Sequence, residues 1–97
     1  MDIIHQVYLN NGCFFCEDGQ LRIAEITYLR YSCNKMIIDS AYIHPNYEKI
    51  KTLQQLTKKI FEFAQINKLQ ITSLSEDIKQ ILDKNENYTP VVFNISS

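Results

Sequence analysis

Between Thr52 and Gln65, Leu53, Leu56, Ile60, Phe63 and Ala64 recur at helical spacing, while Gln54, Gln55, Lys58, Lys59, Glu62 and Gln65 occupy the other face. A recurrence near 3.6 residues paints one face of a helix. Thr52 with Gln55 three residues on fits a capping box, so the spacing predicts a helix from about Leu53 that stops at Asn67-Lys68. Upstream the rhythm shortens. Ile3 to Leu9 alternates loosely and fits a first strand or a frayed lead-in. Cys13 to Cys16 and Leu21 to Tyr31 are β-branched and aromatic, and Glu17-Asp18-Gly19-Gln20 turns the chain between them. Ser32-Cys33-Asn34-Lys35 makes the next turn. Met36 to Ile43 is almost continuously apolar, which predicts a central strand buried on both faces, and Pro45 stops it. Downstream, Leu69 to Leu74 predicts a strand. Ser75 is placed to cap a short helix carrying Ile78, Ile81 and Leu82, with Glu76 and Asp77 in its first turn. Asn85 to Thr89 is expected as a loop and Pro90 to Ile95 as a last strand.

The predicted order is β-β-β-α-β-α-β. Hairpins give antiparallel neighbours, whereas the crossover from Met36 to Leu74 gives a right-handed connection and one parallel pair. The fold class is therefore α/β in the wider sense, an α+β arrangement on a mixed sheet. The 97 residues fit a single domain spanning 1–97.

Composition narrows the function. The 45% hydrophobic and 22% charged shares are those of a globular chain, and two Gly and two Pro leave little room for linkers. Ten basic residues against 11 acidic ones leave a net charge of −1, so no overall field draws in nucleic acid or an acidic membrane. Apolar runs fall well short of the ~20 residues that span a bilayer. Asp2 and His5 interrupt the start where a signal peptide would be basic and then apolar. A cytoplasmic protein without nucleic-acid or membrane partners is expected, as a monomer or weak dimer.

Cys13 and Cys16 have the CxxC spacing of redox and zinc motifs. A redox pair needs a helix start to lower the thiol pKa, and here the motif lies in a strand. Residues three apart on a strand point to opposite faces, so the two sulfurs cannot meet. Neither His5 nor His44 completes a ligand spacing, and no metal site is expected.

Several phrases are familiar together. AEITY (Ala24 to Tyr28), IID (Ile37 to Asp39), FAQINKLQI (Phe63 to Ile71) and ILDKNENY (Ile81 to Tyr88) resemble the small single-domain branch of the GCN5-related N-acetyltransferases. The resemblance runs from about Asn11 to Phe93 and rests mainly on scaffold. It implies acetyl-CoA in a V-shaped gap between Met36–Ile43 and Leu69–Leu74, with strand amides near Ile43 polarising the thioester. It implies further that a free amine, on a small molecule or a protein, attacks directly. The family's diphosphate loop, (Arg/Gln)-x-x-Gly-x-(Gly/Ala), falls on Glu48-Lys49-Ile50-Lys51-Thr52-Leu53, and all three pattern positions depart from it. The same alignment puts Ser40 where the family has a His and Ser75 where it has a Cys.

Two functions stay open on these residues. In the first, Ile43, Lys49, Ile50, Lys51, Thr52 and Leu53 hold acetyl-CoA, with lysine ammonium groups replacing close amide contact with phosphate. His44, at the mouth of the gap, then serves as the base, and Ser40 and Ser75 supply hydroxyls. In the second, the chain is a non-catalytic relative acting as an interaction or regulatory module, and the lysines form a solvated helix face. Glu25 fits either an amine-attracting carboxylate or a strand partner of Arg22 or Arg30.

Overall fold

The computed structural model describes residues 2–93. Its elements are β1 (Ile3–Val7), β2 (Asn11–Asp18), β3 (Leu21–Ser32), β4 (Lys35–Ile43), α1 (Lys49–Ile66), β5 (Gln70–Ser73), α2 (Glu76–Lys84) and a 3-10 helix (Glu86–Val91). The strands form one sheet in the order β1-β2-β3-β4-β5. The first four are antiparallel neighbours, and β4 and β5 are the parallel pair required by the α1 crossover.

The expected architecture holds, with changes at both ends. Ile3–Val7 is a true strand, stitched to β2 in the register Ile3–Cys16 to Val7–Gly12. The strand expected over 90–95 does not form at its start. Pro90 and Val91 finish the 3-10 helix, where Asn85 Oδ1 accepts from the Asn87 amide at 2.9 Å. Val92 makes one parallel bridge to Ile71, and 94–95 lie outside the described residues.

Both α-helices pack on one face of the sheet. Leu53, Leu56, Ile60 and Ala64 of α1 and Ile78 and Leu82 of α2 meet Phe14, Ala24, Ile26, Met36, Ile38 and Ile71 in a single core. Phe63 joins from the β1 side, its ring edge-on to His5 and Phe14 at 75° and 68°. The opposite face carries no helix among the described residues. There Phe15 is covered by the Arg22 guanidinium, 3.6 Å from the ring centroid, and Arg22 is held by Glu25 at 2.6 Å and Glu17 at 3.6 Å. Glu25 thus takes the strand-partner role. Cys13 and Cys16 are buried free thiols on opposite faces, as the strand period requires. Burial pushes the pKa of each upward.

Helix α1 starts four residues earlier than the capping-box reading places it. Thr52 is a buried residue inside the first turns, its amide donating to Glu48 O at 3.3 Å. At the other end, Lys68 amide to Gln65 O and Leu69 amide to Ala64 O (2.8 Å) close a Schellman motif. Lys68 there takes φ 55°.

Candidate functional site

Strand β4 is pinned on one side by β3 along its length, but on the other side β5 accompanies it only from Lys35–Gln70 to Ile38–Ser73. A last bond, Leu74 amide to Ile38 O at 2.8 Å, ends the pairing. Beyond it β5 turns into α2, while β4 continues to Ile43. Beyond Ile38 this side of β4 has no strand partner among the described residues, a gap we call the wedge.

A β-bulge lies at the same point. Thr27 pairs with Ser40 but Tyr28 pairs with Ile38, so Asp39 is an extra residue on β4. A bulge bends its strand and shifts the side-chain alternation by one. Burial follows this shift: Met36 and Ile38 face the core before it, and Ala41 and Ile43 pack against the core after it. The expectation of burial on both faces of β4 is corrected accordingly, since Asp39, Ser40 and Tyr42 are exposed. The Thr27 hydroxyl clamps the bulge, lying 2.6 Å from both Asp39 Oδ1 and Ser40 Oγ.

The backbone direction in the segment beyond Ile38 follows from one bond. The His44 amide donates to Ile23 O at 2.8 Å, so His44, Tyr42 and Ser40 point their backbone groups at β3. Strand alternation then turns those of Ala41 and Ile43 toward the side that β5 has left. The Ile43 N–H, expected at the heart of the site, faces the wedge.

At the wedge mouth, Glu48-Lys49-Ile50-Lys51-Thr52-Leu53 is the first turns of α1 rather than a loop. Glu48 is the N-cap without a side-chain bond, and no acid occupies the first turn. Helix geometry leaves the Lys49, Ile50 and Lys51 amides without intrahelical acceptors. Thr52 and Leu53 are different: both side chains are buried, Leu53 in the core itself. Leu53 therefore does not protrude toward a bound anion, and the amides of both residues belong to the helix.

The remaining candidates have local roles. His44 Nδ1 accepts from the Asn46 amide at 3.2 Å and His44 O accepts from the Tyr47 amide at 3.0 Å. In that contact Nδ1 uses its ring lone pair. Tyr47 donates to Asp18 Oδ2 at 3.1 Å, tying the loop before α1 to the β2–β3 turn. Ser40 is occupied by Thr27 on the helix-free face. Ser75 caps α2 through its carbonyl, which accepts from the Lys79 amide at 2.9 Å, and its hydroxyl makes no cap bond. Lys49 Nζ meets Asp77 Oδ2 at 2.9 Å, joining the N-termini of the two helices.

Lys51 and Lys58 stand between two grooves. One, of about 800 Å³, runs between α1, α2 and the 3-10 helix past Gln54, Gln80, Lys84 and Tyr88. The other, about 560 Å³, separates α1 from Ile3 and Tyr47. Among the described residues no three His, Cys, Asp or Glu side chains are grouped to hold a metal ion, and no helix is long and apolar enough to cross a membrane. Sequence reasoning missed Thr27 as the clamp and Tyr47–Asp18 as the tether. Each is a contact between distant strands or turns that no local pattern announces.

No family model matches the sequence, and no curated protein matches it. Among solved structures, the chain is similar to the solution NMR structure of a GCN5-like candidate N-acetyltransferase from Staphylococcus aureus. The TM-score is 0.71 at 24% identity, covering 96% of this chain and 90% of that one. The parallel β4–β5 pair, the crossover helix α1 and this likeness show that the chain shares the fold of that GCN5-like structure.

Proposed function

We propose that the chain is an N-acetyltransferase that uses acetyl-CoA to acetylate an amine on a small molecule or a protein. The observation that carries this reading is the wedge, into which β4 turns the Ile43 N–H. When bound, acetyl-CoA supplies a thioester whose carbonyl carbon accepts the amine nitrogen, the C–N bond forming as the C–S bond breaks. The Ile43 N–H, turned away from β3, would be the donor to negative charge growing on the thioester oxygen. The unclaimed Lys49, Ile50 and Lys51 amides and the Lys51 ammonium suit the diphosphate, so the residues present fit the group at both ends. The groove beyond Lys51 offers amide and lysine side chains to the nucleotide end. The Ser75 hydroxyl, free of capping duty, is the candidate to return a proton to the departing thiolate. His44 can accept the amine proton only by giving up its contact with Asn46. A cytoplasmic setting, where thiols stay reduced, agrees with the three free cysteines.

Calorimetry with acetyl-CoA tests this reading, with micromolar to low-millimolar affinity expected. Failure of millimolar acetyl-CoA to bind or to raise the melting temperature would remove it. Lys51→Ala is expected to weaken binding and to lessen its salt dependence.

The Lys49–Asp77 pair favours a second reading. It spans the two helix starts where the diphosphate would enter, as in a fold that has become an interaction module and keeps its mouth clasped.

A further inference from the structure

The sheet has two edges, and they differ. At the β5 edge, Val92 bridges Ile71 and the Phe93 amide donates to Ile71 O at 2.9 Å, so a later segment occupies it. Strand β1 has no neighbour on its outer side among the described residues. The Tyr8 amide donates to Asn11 O at 2.8 Å, which assigns the even residues of β1 to β2. The N–H and C=O groups of Ile3, His5 and Val7 therefore line the open edge.

Edge strands ordinarily carry a charge, a proline or a bulge that deters further pairing. From Ile3 to Cys16 this chain has no Lys, Arg, Asp, Glu or Pro, and the β1–β2 register runs unbroken. Exposed apolar side chains gather at this edge: Ile4 42%, Val7 66%, Tyr8 56% and Leu9 94%. An open row of main-chain donors and acceptors selects an extended strand. Because the far edge is taken at Ile71, the sheet edge that a second copy can offer is its own β1.

We propose that two copies of this chain associate through β1, antiparallel about a two-fold axis, to continue the sheet across both molecules. Full overlap of Ile3–Val7 fixes the register, with Ile3 opposite Val7 of the second copy and His5 opposite His5. Only odd residues then face one another as hydrogen-bonded pairs, and side chains keep to their own face. Val7 gains an apolar neighbour in Ile3, which lines the groove beside α1. Because each strand contributes five residues, the contact is smaller than the ~800 Å² per partner of a standard interface. The dimer is accordingly weak and concentration-dependent, and it closes on itself without fibre growth.

Sedimentation velocity from micromolar to millimolar protein should show the mean mass rising toward that of two chains. Over the same range, hydrogen exchange should slow at the Ile3, His5 and Val7 amides. The Ile4 and Gln6 amides, already bonded to β2, should not change. Val7→Lys places a charge at an exposed edge position, and Val7→Pro removes an N–H that β2 does not use. Each should weaken association at least ~10-fold, with unchanged melting temperature in dilute solution as the control for folding. A chain that stays single at millimolar concentration, or a dimer in which both variants associate like the parent, would overturn the proposal.

Discussion

Gly12 is a residue whose identity is set by one neighbour. A Cβ there would lie 2.5 Å from Tyr28 Oη and 2.7 Å from Gln6 O. Tyr28 is 2% exposed and cannot retreat. Gly12→Ala should therefore cost about 1–3 kcal/mol, measured by equilibrium urea unfolding. The Tyr28 hydroxyl also lies 2.6 Å from His5 Nε2, and His5 is stacked 4.0 Å from the Phe14 ring. Burial lowers the His5 pKa from its ordinary 6.5, because a desolvated ring favours its neutral form. The unfolded chain binds a proton there more readily. Stability from this site is therefore full above pH 6.5 and is lost as pH falls through the lower folded value. Melting temperature should drop on acidification in that window, and His5→Phe should flatten the drop. An unchanged slope in the variant would refute the assignment.

Elements show where sequence patterning suffices and where it fails. The buried face of α1 was legible because helical spacing is local, and Leu53, Leu56, Ile60 and Ala64 all lie in the core. Its start was not. Thr52-x-x-Gln55 mimics a cap, yet Thr52 is drawn inward by packing while Lys49–Asp77 and Tyr47–Asp18 anchor the turn before it. The β4 bulge was equally hidden, since Asp39-Ser40 only interrupts an otherwise apolar MIIDSAYI and nothing local pairs those two with Thr27. Thr27→Val should destabilise by about 0.5–1.5 kcal/mol, the worth of an ordinary hydrogen bond. It should also loosen amide protection at Ala41 and Ile43 in exchange experiments. At the end of α1, Lys68 holds the left-handed position of the Schellman motif at φ 55°. Lys68→Gly should stabilise the fold by ~0.5–1 kcal/mol in the same unfolding assay.

For the whole molecule, the site was legible as strands and a crossover but not as a mouth. Only the family resemblance singles out Ile43, and the bond from His44 to Ile23 fixes no more than the direction of its backbone N–H. The start of α1 at Lys49 goes with contacts to distant segments, Lys49 to Asp77 and Tyr47 to Asp18, which no single segment reveals. Lys49→Ala separates the two functional readings. The Lys49–Asp77 pair is half exposed, at 58% and 43%, so its loss should cost under ~1 kcal/mol of stability. If the pair clasps the mouth, acetyl-CoA should bind the variant more tightly than the parent, whereas a diphosphate contact from Lys49 predicts weaker binding. The order of assembly follows from the same topology. The four antiparallel strands are joined by tight turns and zip with short loop closures. The β4–β5 pair closes a longer loop that contains the 18 residues of α1, so it is expected to form after the hairpins. Amide exchange should accordingly be faster in β5 than in β2 and β3, so that the strand bordering the wedge is among the first to come loose.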